Sequence, residues 1–316
     1  MKKISLLFLR ISVTLALLIF LFSKVDFLAL FVVIKNSDFE MIAYAFALYA
    51  LLNFLIFIRW RFLCTGLGIK VGLLRLLASY MTSQFFNLIL PSTIGGDAVK
   101  TFDIARHTKS HSSGILATVI LDRFCGFFGL LTVLTLAVMF GLDIVSDPAV
   151  LLVMFILLTA VVVLAAIMFS SRLFNGLFKY FPFQKLKNYL FKVHEATSSY
   201  RHKRRYLVWA WLISVGTQAG VAFVYYFLAK AIGLDIKIIY FLIFVPIISA
   251  FSVIPISVGG LGVRDTASVF LFTKIGVSAT KAFTLSLLNF SAMFIFGVLG
   301  GGVYVAMLYR RWLQRS

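Results

Sequence analysis

Apolar runs long enough to cross a bilayer recur six times along this 316-residue chain, near 4–23, 41–60, 112–140, 149–170, 206–229 and 282–308. About 20 consecutive apolar residues of helix span a hydrocarbon core. No water there pairs backbone N–H and C=O groups, so only helices and closed barrels survive in it. Runs of this length select helix. Overall 62% of the residues are hydrophobic and 13% charged, against an apolar share of roughly one half in soluble domains. The chain reads as an all-α polytopic membrane protein, a single transmembrane domain over 1–316. Lys2, Lys3 and Arg10 flank or enter the first run, and no small-residue cleavage site follows it. A cleavable signal has a shorter core, so this run reads as a retained span.

Two further apolar stretches are interrupted to one template. The first is Leu90-Pro91-Ser92-Thr93-Ile94-Gly95-Gly96-Asp97-Ala98-Val99-Lys100, the second Ile254-Pro255-Ile256-Ser257-Val258-Gly259-Gly260-Leu261-Gly262-Val263-Arg264. Proline, glycine pair, valine and closing cation recur at one constant offset. A broken helix in hydrocarbon leaves backbone groups unpaired unless protein or a wet cavity satisfies them. Matched interruptions of this kind in two halves of a membrane protein point to a transporter's binding site. The pattern therefore predicts two re-entrant helical hairpins with tips at Pro91, Gly95 and Gly96 and at Pro255, Gly259 and Gly260. Three full crossings separate corresponding elements, an odd number, so the pseudo-repeat halves 1–145 and 146–316 form an inverted repeat.

The formal net charge is +19, and its placement sorts by loop. Arg59, Arg61, Lys70, Arg75, Arg106 and Lys109, the segment Arg172–Arg205, and Arg310, Arg311 and Arg315 fall on one side. Asp26, Asp38, Glu40, Asp143, Asp147 and Asp235 fall on the other. Lysine and arginine excess marks the cytoplasmic side, which places both termini in the cytoplasm and the chain in a plasma or inner membrane. Basic residues that flank spans attract lipid headgroups rather than nucleic acid. Within 171–205, Leu186, Leu190, Val193 and Thr197 recur at helical spacing beside Lys185, Lys187 and Lys192. That is the pattern of a basic helix in the cytoplasmic interface.

Chemistry-bearing residues concentrate at the tips and at one mid-span pair. The returning limb after each glycine pair starts with free N–H groups and the positive end of a helix dipole, an anion site to which Lys100 and Arg264 add full charges. Asp122 and Arg123 lie deep inside the 112–140 run. A charge at such depth costs about 2.5–3.5 kcal/mol on insertion scales, which makes it a functional hypothesis. Neighbours in a helix point apart, so each needs its own partner. Asp97, Lys100, Arg264 and Asp265 are the partners at hand. Asp103, His107 and His111 share a helical spacing, yet Ser110 breaks the helix before the third, and no metal site is expected. Cys64 and Cys125 form no CxxC. Gly297 and Gly301 make a GxxxG, a close-packing face within one chain or between copies in a homo-oligomer. Nucleotide, dinucleotide, zinc-protease and serine-hydrolase motifs are missing, so no cofactor and no enzyme activity is implied.

At these residues the chain resembles a known family. Pro91 to Asp97 with Lys100, then Asp122-Arg123, then Pro255 to Asp265 look like the signature of the lysylphosphatidylglycerol synthase transmembrane region, flippase-like integral membrane proteins. The likeness runs over nearly the whole chain. Lys100 stands where the family often has arginine, and Asp122 and Asp265 stand where it often has glutamate. These departures keep charge and change reach. The resemblance implies the translocating half alone, without the family's aminoacyl-transferase domain, and two re-entrant segments around a central headgroup cavity.

Together these readings predict a translocase for a phospholipid or polyprenyl-phosphate-linked lipid. Lys100, Arg123 and Arg264 would bind the phosphate, while Asp97, Asp122 and Asp265 would hold those cations. The alternatives are a membrane-embedded enzyme on a lipid-linked substrate, or an accessory subunit of a lipid or glycan synthase.

Overall fold

The computed structural model describes residues 27–90, 94–108, 112–141, 148–178, 183–253 and 261–313. Among them the regular elements are helical. In chain order they are α1 (Phe27–Lys35), α2 (Phe39–Gly66), α3 (Leu73–Ile89), α4 (Ile94–His107), α5 (Ser112–Phe140), α6 (Pro148–Phe169), α7 (Ser171–Phe178), α8 (Gln184–Ser198), a 3-10 turn (Ser199–His202), α9 (Arg204–Ala231), α10 (Ile238–Val253), α11 (Val263–Thr273) and α12 (Ala279–Leu313). Among the described residues four segments are long and apolar enough to cross a membrane: Phe39–Gly66, Ser112–Phe140, Arg204–Ala231 and Ala279–Tyr309. The run expected at 149–170 becomes α6, and the chain then turns by 92° into α7. It makes a fifth span only if that bent pair counts as one. The first expected span, 4–23, lies outside the described residues.

The element order repeats. Helices of 28, 17, 14 and 29 residues (α2 to α5) are matched by helices of 28, 16, 11 and 35 residues (α9 to α12). The step in numbering from Phe39 to Arg204, the starts of α2 and α9, equals that from Leu73 to Ile238, the starts of α3 and α10. The ends of α2 and α9 are closed alike, by left-handed glycines Gly68 (φ 73°) and Gly233 (φ 67°). Only glycine enters that region without a Cβ penalty. Ile69 N–H bonds the Cys64 carbonyl, and Leu234 N–H bonds the Ala229 carbonyl. This is one C-terminal capping motif written twice.

By compactness the chain divides into two units. The first is Met1–Leu52, Tyr80–Val99 and Ala219–Ser316; the second is Asn53–Ser79 and Lys100–Gln218. Each draws on both 1–145 and 146–316.

In the first unit α10 is buried around much of its circumference, from Phe241 to Ala250, with Pro246 inside the helix. α11 folds back along it, where Phe272 meets Phe241 and Phe244 at centroid distances of 5.4 and 5.5 Å. α12 presents Gly297, Gly300 and Gly301 to α3. A Cβ on these would run into Leu88, the Met81 carbonyl and the Phe85 ring. The GxxxG face is thus filled by α3, a small-residue contact that lets two backbones close up.

In the second unit α5 is the central helix, packed by α6 and α8. Gly129 lets α9 approach, since a Cβ there would sit 2.6 Å from Ser214 Cβ and 2.9 Å from Val215 N. The segment expected to be interfacial is built of α7, α8 and the 3-10 turn. Tyr200 of that turn is fully buried and donates to the Leu63 carbonyl, while Lys203 Nζ donates to the Gly66 carbonyl at 2.6 Å. Lys203 caps the Gly66 carbonyl at the end of α2, and Tyr200 adds a second donor to the Leu63 carbonyl, which also accepts from Leu67 N–H.

Candidate functional site

Most of the charged residues singled out in the sequence are removed from solvent. Asp97, Lys100, Asp122, Arg264 and Asp265 are buried. Arg123 is half-buried. Pro91, Pro255, Gly259 and Gly260 lie outside the described residues.

At the first interruption, Gly95 and Gly96 open α4 rather than remain in a loop. A Cβ on Gly96 would press into the Ser83 carbonyl oxygen and the Asn87 side chain, and one on Gly95 would lie 2.5 Å from Leu90 Cδ1. The backbone that these glycines admit is α3, folded back on α4. Gly96 N–H donates to Asn87 Oδ1 at 3.1 Å, so this N-terminal donor is engaged by protein. The buried face of α4 runs through Gly96, Asp97, Lys100, Thr101 and Ile104, which is polar where a membrane helix is ordinarily apolar. Farther along, Arg75 of α3 and Asp103 of α4 form an ion pair in the second unit.

Within the second unit, Asp122 is paired with Arg59 of α2. Arg59 Nε donates to Asp122 Oδ1 at 2.7 Å, and Arg59 Nη1 donates to Ser214 Oγ of α9 at 2.8 Å. None of the four partners offered by the sequence fills this role. Arg59 had been assigned to the cytoplasmic flank, but α2 continues to Gly66 and carries Arg59 two turns inside the helix end. Lys100 Nζ lies 4.8 Å from the Trp60 ring centroid, a cation–π seat. Trp60 Nε1 donates to Thr118 Oγ1 of α5 at 3.1 Å, and Thr118 passes its own hydroxyl proton to the Ile115 carbonyl.

Within the first unit, Arg264 and Asp265 pair with each other although adjacent. Arg264 Nη2 and Nε donate to Asp265 Oδ1 at 2.8 and 3.2 Å. The long guanidinium stem curls back, which the rule that neighbours point apart does not capture for arginine. Asp265 Oδ2 accepts from Gly262 N–H at 2.9 Å, and Gly262 sits at φ +81°. Asp265 therefore caps α11 and occupies a donor that the sequence had reserved for an anion. Ser286 Oγ of α12 donates to Asp265 Oδ1 at 2.5 Å and accepts from Arg264 Nε at 3.3 Å. Tyr225 of α9 is buried beside this cluster. Phe290 completes the cluster, 5.1 Å from the guanidinium.

Both clusters are thus networks of cation, carboxylate, hydroxyl and aromatic ring. Burying such charges costs several kcal/mol per ion unless partners offset it. The sequence missed Arg59, Trp60, Ser214, Tyr225 and Ser286. The signal for Trp60 and Tyr225 was their common register, the same number of steps from Phe39 at the start of α2 as from Arg204 at the start of α9.

The sequence matches the family model of the lysylphosphatidylglycerol synthase transmembrane region over residues 7–301. No curated protein and no solved structure matches it.

Proposed function

Because the chain belongs to the lysylphosphatidylglycerol synthase transmembrane-region family, we propose that it is a lipid translocase. It moves the headgroup of a phospholipid or polyprenyl-phosphate-linked lipid between leaflets. The observation that carries this reading is burial: five of the six charged site residues are withdrawn from solvent among apolar helices. Ions at that depth are costly and are retained for substrate or ion pathways. Lys100, Arg123 and Arg264 engage phosphate. Asp97, Asp122 and Asp265 hold cations in place, Asp122 through Arg59 and Asp265 through Arg264 directly.

In this reading α2–α5 and α9–α12 are the two members of an inverted repeat. The pairs α3/α4 and α10/α11 are its re-entrant hairpins, and both termini are cytoplasmic in a plasma or inner membrane. A homo-oligomer would use a face of α12 other than the glycine face that α3 covers.

The test is purified protein in liposomes containing fluorescent phosphatidylglycerol, with external dithionite as the quencher. The translocase reading expects quenching beyond the outer-leaflet half, at a rate that rises with protein content. Quenching that stops at half, with the lipid chemically unchanged, removes it. Conversion of the lipid to a new species would establish the enzyme instead.

A further inference from the structure

The basic segment after α6 is built as two packed helices, and its placement follows from the helix before it. α6 carries no charged residue from Pro148 to Phe169, and Phe155, Ile156, Val162 and Val163 are exposed along it. Its 22 residues, at about 1.5 Å each, match a hydrocarbon core of about 30 Å. The chain then turns by 92° into α7. Ser170 makes the corner: Leu173 N–H donates to its hydroxyl oxygen at 3.4 Å and Phe174 N–H to its carbonyl at 3.0 Å. A helix at a right angle to a span, starting where the span ends, runs along the bilayer surface.

Phe174 fixes α7 on α8, with its ring 5.2 Å from that of Phe191 and 4.1 Å from that of His194. Val193, His194 and Thr197 form the buried face of α8. With those faces occupied, large apolar side chains still remain outside. Leu173 and Leu177, one turn apart on α7, are 51% and 63% exposed; Phe183 and Leu186, at the start of α8, are 68% and 47% exposed. Exposed Arg172, Lys185 and Lys192 stand among them, and no acidic residue occurs from Ser171 to His194. Water suits only the cations of such a surface. A bilayer interface suits both, since acyl chains take the apolar side chains and phosphates take the cations.

We propose that α7 and α8 form a docking surface for the anionic phospholipid of the surrounding bilayer, with α7 lying in its plane. Leu173, Leu177, Phe183 and Leu186 enter the acyl region, and Arg172, Lys185 and Lys192 meet headgroup phosphates. This lipid is the protein's solvent rather than its cargo, so the proposal goes beyond the translocase reading and stands without it. Charge selects the anionic class: each cation near such a surface gains about fivefold in affinity, and a zwitterionic leaflet offers no comparable field. The surface is also firmly mounted. Tyr200 and Lys203, just after α8, hold the end of α2.

The test places a bimane label on Leu177→Cys in the full chain, in liposomes of phosphatidylcholine and phosphatidylglycerol in equal parts. Cys64 and Cys125 are buried, and the unsubstituted chain carried through the labelling measures any reaction at them. Three quenchers are compared: phosphatidylglycerol and phosphatidylcholine, each with a nitroxide on the acyl chain, and a neutral water-soluble nitroxide. Both lipids should quench, the water-soluble nitroxide should not, and phosphatidylglycerol should exceed phosphatidylcholine by at least about threefold. Replacing Arg172, Lys185 and Lys192 together by glutamine should bring that ratio to about one, as should salt at about 1 M, where screening shortens to about 3 Å. Leu173→Ser with Leu186→Ser should lower quenching by both lipids.

Quenching from water but not from the acyl region overturns the docking surface and leaves it facing a soluble partner. Quenching by none of the three also overturns it, because a second copy of the chain then covers the label. Equal quenching by the two lipids in the starting protein, or a ratio unchanged by charge removal and by salt, overturns the anionic assignment. If the serine variant melts early, the salt series on the unaltered surface decides. Lipid transfer is measured separately in the same liposomes, so loss of either result leaves the other standing.

Discussion

Arg59 Nε and Asp122 Oδ1 lie 2.7 Å apart with both side chains 7% exposed, so α2 and α5, separated in the chain by both α3 and α4, are joined by one charge pair. Ser214 takes a further proton of the guanidinium and extends the link to α9. The pair is better described as holding three helices in register than as a source of net stability. Desolvation of both ions offsets much of their attraction.

Removing one member leaves the other charged and alone. Arg59→Met should destabilise the protein by about 3–5 kcal/mol, as should Asp122→Leu. The double variant should recover most of that loss, because no uncompensated ion remains. Unfolding midpoints in detergent across the four proteins of the cycle measure this. A double variant as unstable as the sum of the singles would show that the pair contributes nothing jointly.

The glycines give a second contrast. Gly96 and Gly300 each face backbone carbonyl oxygen, of Ser83 and of Met81, whereas Gly302 has nothing within 4 Å of a built Cβ. Gly96→Ala and Gly300→Ala should each cost about 1–3 kcal/mol through overpacking. Gly302→Ala should be neutral or slightly stabilising, since alanine is the better helix former. Thermal melting in detergent separates them. Equal midpoints for all three would mean that neither helix contact is close in the membrane.

How much of this was legible follows from what each residue had to disclose. The spans could be read because hydrocarbon demands long apolar helices, and α5 falls at the expected 112–140. Asp122 was legible because a carboxylate inside such a run has no bland explanation. Its partner was hidden, since Arg59 stands at the edge of an apolar run, where cations ordinarily snorkel to the headgroups. The Gly95-Gly96 motif disclosed a close approach but not its occupant, and that occupant is α3. The 92° turn between α6 and α7 was invisible, because α6 reads as a plain apolar run to its end.

α8 carries a pH dependence. His194 stacks on Phe174 at 4.1 Å between centroids. Burial, then the charge of Arg201, holds its imidazole below the ordinary histidine value. The folded protein therefore keeps His194 neutral at a pH where the unfolded chain, with its value of about 6.5, is already taking up a proton. The stabilising contribution is complete above that value and is lost as pH falls below it. Hydrogen exchange corrected for intrinsic rates should show α7 and α8 opening more readily at about pH 5.5 than at about 7.5, on either side of the ordinary histidine value. His194→Phe, which keeps the stack and cannot titrate, should flatten the difference. An undiminished difference in that variant would assign the effect to another group.

Orientation is tested by single cysteines in a background lacking Cys64 and Cys125. Glu195 and Lys237 are both exposed, one on α8 and one just before α10. With the basic segment in the cytoplasm, Lys237→Cys should react with an impermeant maleimide in intact cells. Glu195→Cys should react only after permeabilisation. Both reacting from the same side would end the proposed topology, since α9 alone separates them.

The last prediction concerns the buried cations in transport. Lys100 lies over the Trp60 ring and Arg264 is held by Asp265 and Ser286, whereas Lys187 is half-buried on α8, outside both clusters. A charge-assisted hydrogen bond to a buried partner contributes roughly 1.5–3 kcal/mol, or about tenfold to more than a hundredfold in affinity. Lys100→Gln and Arg264→Gln should therefore slow fluorescent phosphatidylglycerol transfer by at least tenfold in liposomes, with Lys187→Gln near wild type. Arg264→Lys should be slowed as well, because Nε and Nη2 both reach Asp265 Oδ1 while Nε also reaches Ser286. A point-charge ammonium cannot reproduce that fork. Melting midpoints taken alongside separate a transport defect from a failure to fold. If Lys187→Gln slows transfer as much as the two buried variants do, the cations act by general surface charge and not at a headgroup.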